Sequence, residues 1–155
     1  MGKFNSSEEI INFAIGREMI SGQFYRDLAG QMENTALRLR LEGFADEEDR
    51  HRHILELELI KRGRMVPNYQ ELGIASEDID DVETLASEVN HDYQKLLEMG
   101  MVRERQAFRL YVDLAGLTEH PNLQDVLLLL AEEEARHRAL FEMEYHGASV
   151  RGANG

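Results

Sequence analysis

The sequence predicts an all-α protein: a four-helix bundle built from two duplicated antiparallel helical hairpins joined by a long crossover. Three observations predict it. Apolar residues recur at intervals of three and four along four long segments, the chain has two prolines, and no run alternates polar and apolar residues as a strand would. Two windows, residues 17–30 and 45–58, return 86 residues later as 103–116 and 131–144, with 15 of the 28 aligned positions identical where average composition gives roughly two. The links after the first and third segments are short, whereas the middle one is long.

The first segment spans about residues 7–33. Ser6 and Glu9 make a capping box at its start, the hydroxyl accepting from a free N–H of the first turn and the carboxylate reaching back. Asn34 and Thr35 interrupt the pattern, and the second segment follows over about 36–62, with Lys61-Arg62 before Gly63 as its stop. Residues 63–81 hold Pro67, Asn68, Gly73 and the acidic pair Glu77-Asp78, and form the crossover. The third segment runs from near Val82 to about Ala115. Residues 116–121 make a turn, and Pro121 takes the first helical position of a fourth segment that ends near Gly147. Hairpin one is thus about 6–62 and hairpin two about 82–147, within a single domain over 1–147, and 148–155 form a flexible tail. A crossover of 19 residues spans the ~40 Å length of such helices, so the second hairpin can start from the opposite end of the bundle.

Composition narrows the classes of function. The formal charge of −13, with no basic stripe to offset it, argues against nucleic acid or an anionic membrane surface as a partner. No stretch approaches a membrane span, and the first residues lack an apolar signal core. Gly2 and Ser6 match the loose myristoylation pattern, but Ser6-Ser7-Glu8-Glu9 reads better as a helix cap. There is no cysteine, which removes disulfides, iron–sulfur clusters and thiolate zinc sites and suits a cytoplasmic protein.

The inward stripes carry the chemistry. Segment two places Leu37, Leu41, Phe44, Glu48, His51 and Leu55 at alternating intervals of four and three, and segment four repeats this with Leu123, Leu127, Leu130, Glu134, His137 and Phe141. Glu18 interrupts the stripe of segment one and Glu104 that of segment three. Four carboxylates and two imidazoles therefore point inward. Buried together, four anionic carboxylates would each cost several kcal/mol and repel one another. Two divalent cations cancel their charge, with both imidazoles neutral. Carboxylate oxygens with one His per metal suit iron or manganese, and zinc can substitute on the same ligands.

With these residues in place a resemblance can be stated. Glu18, Glu48-x-x-His51, Glu104 and Glu134-x-x-His137 resemble the ligand set of the ferritin-like diiron-carboxylate superfamily. The phrases Phe44-Ala45-Asp46-Glu47-Glu48-Asp49-Arg50-His51 and Leu130-Ala131-Glu132-Glu133-Glu134-Ala135-Arg136-His137 are similar to rubrerythrin helices. The resemblance implies a ferritin-like bundle in which Glu48 and Glu134 bridge two iron ions, while Glu18 with His51 and Glu104 with His137 complete the two coordination spheres. It also exposes departures. The Cys-rich rubredoxin domain of classical rubrerythrins has no counterpart in a chain without cysteine, so the electron donor is external. Rubrerythrins carry an extra carboxylate one turn along the third helix, where this chain has Ala107 and Phe108. The inner shell thus resembles the six-ligand bacterioferritin pattern, but the haem-ligating Met of bacterioferritin is replaced by Asp49 and no haem is expected.

Around these six residues several readings stay open. Tyr25 and Tyr111 fall seven residues after Glu18 and Glu104, two turns along the same face, as redox-active or carboxylate-orienting phenols or as aromatic filling. Asp27 and Asp113 are either acceptors for a ligand imidazole or surface partners of an Arg. Glu47 and Glu133 lie beside the stripe and are expected to face solvent and pair with Arg50 or Arg136. His53, His91, His120 and His146 lack counterparts in the repeat and are expected at the surface. The seven Met, Ile10-Ile11 and residues 127–130 read as core or subunit contact.

The function expected is that of a diiron oxidoreductase of rubrerythrin type, a peroxidase or ferroxidase that reduces peroxide or dioxygen as a diferrous centre is oxidised. The alternatives are iron storage and a structural dimetal protein without turnover. Because each hairpin supplies half the ligands, a homodimer with exchanged hairpins is a natural assembly.

Overall fold

The computed structural model describes residues 4–68, 70–72, 82–90 and 92–154, with side chains through 147 except at residue 71. Among these the chain is helical, without strands: α1 (Ser7–Gly30), α2 (Thr35–Lys61), a 3-10 turn (Gln70–Leu72), α3 (Val82–Val89), α4 (Tyr93–Leu117) and α5 (Pro121–Asn154). Residues 69 and 73–81 of the expected crossover, and His91, lie outside the described residues.

Cap chemistry fixes the helix ends. Ser6, extended at φ −158°, accepts from Glu9 N at 3.2 Å, and Glu9 in turn accepts from Asn5 N, one residue outside the cap. Asn34 caps α2 by accepting from Ala36 N and Leu37 N. At the other end of α2, Arg64 N donates to Leu59 O and Gly63 N to Ile60 O. This reversal places residue 63 at φ +73°, a conformation that glycine adopts without a steric penalty.

Two boundaries differ from the sequence expectation. The third segment is not one helix: α3 ends at Val89, Asp92 leaves the helical region at φ −135°, and its carboxylate accepts from Lys95 N to start α4 afresh. Side chains that bond to nearby backbone compete with a continuous helix, and here they also tie elements together. Asn90 donates to Gln31 O and accepts from Glu33 N, fastening the end of α3 to the α1–α2 turn. The second difference is at the end of the chain. Residues 148–154, expected as a flexible tail, continue α5 to Asn154, since a glycine inside a helix costs only about 1 kcal/mol.

Contacts along the helices establish the topology. Ser7 meets Thr118, Glu18 meets Tyr111 and Phe24 meets Arg103, so α1 and α4 are antiparallel. Arg40 meets Glu144 and Arg50 meets Glu133, so α2 and α5 are antiparallel as well. With α1 against α2 and α4 against α5 in hairpins, α2 and α4 run parallel. That requires a connection back along the bundle, the arrangement with one long crossover.

The interior is layered. One apolar cluster, around Phe24, Tyr25, Leu41, Phe44 and Phe141, fills one end, with Phe44 and Phe141 ring centroids 4.8 Å apart. A second, around Ile11, Ile15, Leu55, Leu59, Leu114 and Leu127, fills the other. Between them lies a buried layer of charged side chains.

Candidate metal centre

All four long helices contribute to that layer. α1 brings Glu18, α2 brings Glu48 and His51, α4 brings Glu104, and α5 brings Glu134 and His137. Every one is buried except His137, which is half-buried. Close approach of the backbones helps: a Cβ at Gly22 would stand 3.8 Å from Glu48 Cβ and 3.2 Å from the Arg26 guanidinium. One ligand atom from each of Glu18, Glu48, His51 and Glu134 falls within 4.8 Å of the others, and the same holds for Glu104, Glu134 and His137. Glu134 belongs to both groups. The His51 and His137 rings lie nearly parallel, 9° apart in plane and 6.1 Å between centroids.

The six residues expected from the stripes are thus brought together, with one difference in detail. The resemblance implied two bridging carboxylates, yet only Glu134 stands in both groups, while Glu48 sits with Glu18 and His51. That proximity sets the electrostatics of the pair. Burial pushes the Glu48 carboxyl well above the usual range, and the neighbouring Glu18 charge pushes it further; Glu18 itself lies low, because the nearness of Glu48, His51 and Tyr111 outweighs its own burial. Of the two carboxyls, Glu48 is the one that holds a proton more readily.

Burial opposes a charge on His51, but Glu134 and Glu18 overcome it and hold the imidazolium up to about 10. His137 is pushed down by burial, against the pull of Glu47 and with the repulsion of His51. Burial also raises Glu134. Even so, the layer is not satisfied by its own members. Glu18 Oε2, Glu104 Oε2, both Glu134 oxygens and both His51 nitrogens are buried without a hydrogen-bond partner. His51 Nδ1 is 2.8 Å from Glu134 Oε1, but outside hydrogen-bond alignment. Buried polar atoms of this kind are ordinarily paired. A set of carboxylate oxygens and imidazole nitrogens converging without hydrogen-bond partners fits a pair of divalent cations, which would displace the proton that His51 holds.

Glu47 and Glu133 do more than the sequence suggested. They pair with Arg50 as expected, at 2.8 Å and 3.2 Å, but they do not simply face water. Glu133 Oε2 lies 2.9 Å from His51 Nε2, and Glu47 Oε2 lies 3.3 Å from His137 Nε2. Each carboxylate thus addresses the imidazole of the opposite hairpin, a position from which it can orient the ring. The available signal was their spacing, four residues before each His and repeated at the same offset. Packing of α2 on α5 then swaps the partners.

Tyr111 donates its phenol to Glu18 Oε1, and burial with the Glu18 charge raises its pKa well above the ordinary value. Tyr25 is also fully buried and raised, but it packs between Phe24 and Phe44 with Arg103 beside it. Asp27 is exposed and accepts from Gln23, and Asp113 is exposed, so neither serves an imidazole. His53, His120 and His146 are exposed as expected.

Fold and cluster together define a ferritin-like helical bundle with a buried Glu/His layer compatible with two metal ions. The family model of rubrerythrin matches residues 9–145, and the chain belongs to the rubrerythrin family. A solved structure of a hypothetical protein from Pyrococcus furiosus is 22% identical, with a TM-score of 0.59 over 92% of this chain and 89% of that one; it shares the fold. None of the curated proteins matches the sequence significantly. Among the described residues no helix is long and apolar enough to cross a membrane.

Proposed function

We propose that this chain is a diiron oxidoreductase that reduces peroxide or dioxygen, with Glu18, Glu48, His51, Glu104, Glu134 and His137 as the iron ligands. The observation that carries the reading is Glu134: it belongs to both ligand groups, and both its carboxylate oxygens are buried without a hydrogen-bond partner. Bound there, two ferrous ions would supply the two electrons that, with two protons, take a peroxide to two waters. An external donor must return the electrons, because the chain has no cysteine for a rubredoxin-type centre.

The protein's own residues have separable duties. Glu133 and Glu47, clamped by Arg50, orient the imidazoles across the hairpin interface. The two apolar clusters exclude bulk water from the ends of the layer. Tyr111, bonded to Glu18, holds that carboxylate in place, and we assign it the relay role: its phenol would pass inward an electron that the external donor replaces, its proton moving to Glu18 Oε1 and back. Tyr25, set among rings in the neighbouring cluster, is a second candidate for that role.

Stopped-flow mixing of anaerobic ferrous protein with hydrogen peroxide tests the proposal. A fast absorbance rise, complete at one peroxide per two irons, is expected. A spectrum left unchanged by peroxide, in a protein that unfolds on chelation, would assign the metals a structural role instead.

A further inference from the structure

The bundle faces that flank the charged layer are built differently. Across α2 and α5 the layer is covered: Arg50 ties Glu47 to Glu133, and both carboxylates lie against the imidazoles. Across α1 and α4 there is a cleft of about 410 Å³ whose floor includes Glu18, Glu48 and Tyr111. Its walls recede at Ser21 and Ala107, small residues at equivalent positions of the repeat. A larger cleft of about 720 Å³, bounded by α1, α3 and α4, adjoins it.

Arg17 and Arg103 line both clefts and are themselves equivalent in the repeat. Arg103 is held in place by its guanidinium, 3.8 Å over the Phe24 ring centroid, while Arg17 is exposed. In the outer cleft Arg17, Lys95 and Arg103 face Glu88 and Glu98, a local excess of positive charge in a chain of net −13. Low-dielectric walls focus such a field and raise the local concentration of the opposite charge. Guanidinium groups also donate hydrogen bonds to small oxyanions.

We infer that the α1/α4 cleft is the entrance by which small anions and polar oxidants reach the buried layer, and that Arg17 and Arg103 set its selectivity. The molecules admitted are those that pass between Ser21 and Ala107 and accept hydrogen bonds from a guanidinium, hydroperoxide among them. The inference rests on the dimetal reading above and adds to it the route and the class of substrate.

Azide, a small unreactive anion, is the probe, and cobalt-loaded protein supplies the visible spectrum that reports its binding. Cobalt content is measured first. Fewer than two ions per chain in the unaltered protein would count against the dimetal reading itself. With two bound, Ala107→Leu is expected to keep the cobalt and slow azide association by about tenfold, as a blocked approach does. Ser21→Leu, which narrows the opposite wall, should act in the same sense if Ala107→Leu does not fold. Arg17→Gln is expected to weaken azide binding by about tenfold at low salt and to flatten its ionic-strength dependence, with Arg17→Lys restoring most of both. Azide association at the unaltered rate in the leucine variants would place the entrance elsewhere. Unchanged affinity and salt dependence in Arg17→Gln would remove the selectivity assigned to the arginines.

Discussion

Glu134 is where the two halves of the charged layer meet, and its neighbours show how far single residues can be read from sequence. The six inward residues stood out because each replaces an apolar residue in a regular stripe. Glu47 and Glu133 did not, because they sit beside the stripe and only the packing of α2 on α5 brings each to the other hairpin's imidazole. The stripes likewise could not separate Tyr25 from Tyr111, since a repeat makes them equivalent; the fold gives Glu18 to Tyr111 and a nest of rings to Tyr25. Substituting Glu133→Ala should leave the fold intact and lower metal affinity by about 10- to 100-fold, measured by competition with a chromophoric chelator. Tyr111→Phe leaves Glu18 without its buried donor. Chemical denaturation of the chelated protein should show a loss of about 1–3 kcal/mol, with two ions still bound when metal is supplied.

Helix by helix, the sequence was read well where termini carry dedicated chemistry and poorly where they do not. Ser6, Gly63 and Pro121 mark ends through a hydroxyl acceptor, a positive φ and a missing N–H, each recognisable in isolation. The break between α3 and α4 escaped periodicity because the flanking segments are both amphipathic and Asn90 and Asp92 fall on polar positions. The role of Asn90 depends on Gln31 and Glu33 of a distant turn, whereas Asp92 caps α4 locally through Lys95 N. Asp92→Ala should cost about 1 kcal/mol in thermal or urea unfolding through loss of the α4 cap. Gly43 offers the opposite case: it lies within α2, and an added Cβ there meets nothing within 4 Å. Gly43→Ala should therefore stabilise the bundle by about 0.5–1 kcal/mol, visible as a raised midpoint.

As a whole the molecule encloses a charged layer between two apolar ends, and its stability depends on what neutralises that layer. Without cations, His51 holds its proton up to about 10 against an ordinary value of 6.5. A raised folded-state pKa means that this contribution is complete below 6.5 and is lost as pH rises towards 10. Glu48, also raised, acts in the same direction from 4.5 upwards, whereas the lowered His137 weakens the fold as pH falls below 6.5. Chelated protein should accordingly lose melting temperature between pH 7 and pH 10, while the increment added by metal should grow over the same interval because ligands must shed protons to bind. The duplication, visible in the sequence, explains why opposite hairpins supply matching halves. It did not reveal that one face of the bundle is clamped by Arg50 and the other left open, because which equivalent helices meet at each face depends on how the two hairpins pack.

Anaerobic calorimetric titration of chelator-stripped protein with ferrous iron, repeated in buffers of different ionisation enthalpy, addresses the dimetal centre most directly. Two ions per chain bound with release of protons is the result expected from a layer in which Glu48 and His51 are protonated beforehand. Binding of a single ion, or of two with no proton released and with Glu134→Gln indistinguishable from the unaltered chain, would contradict it.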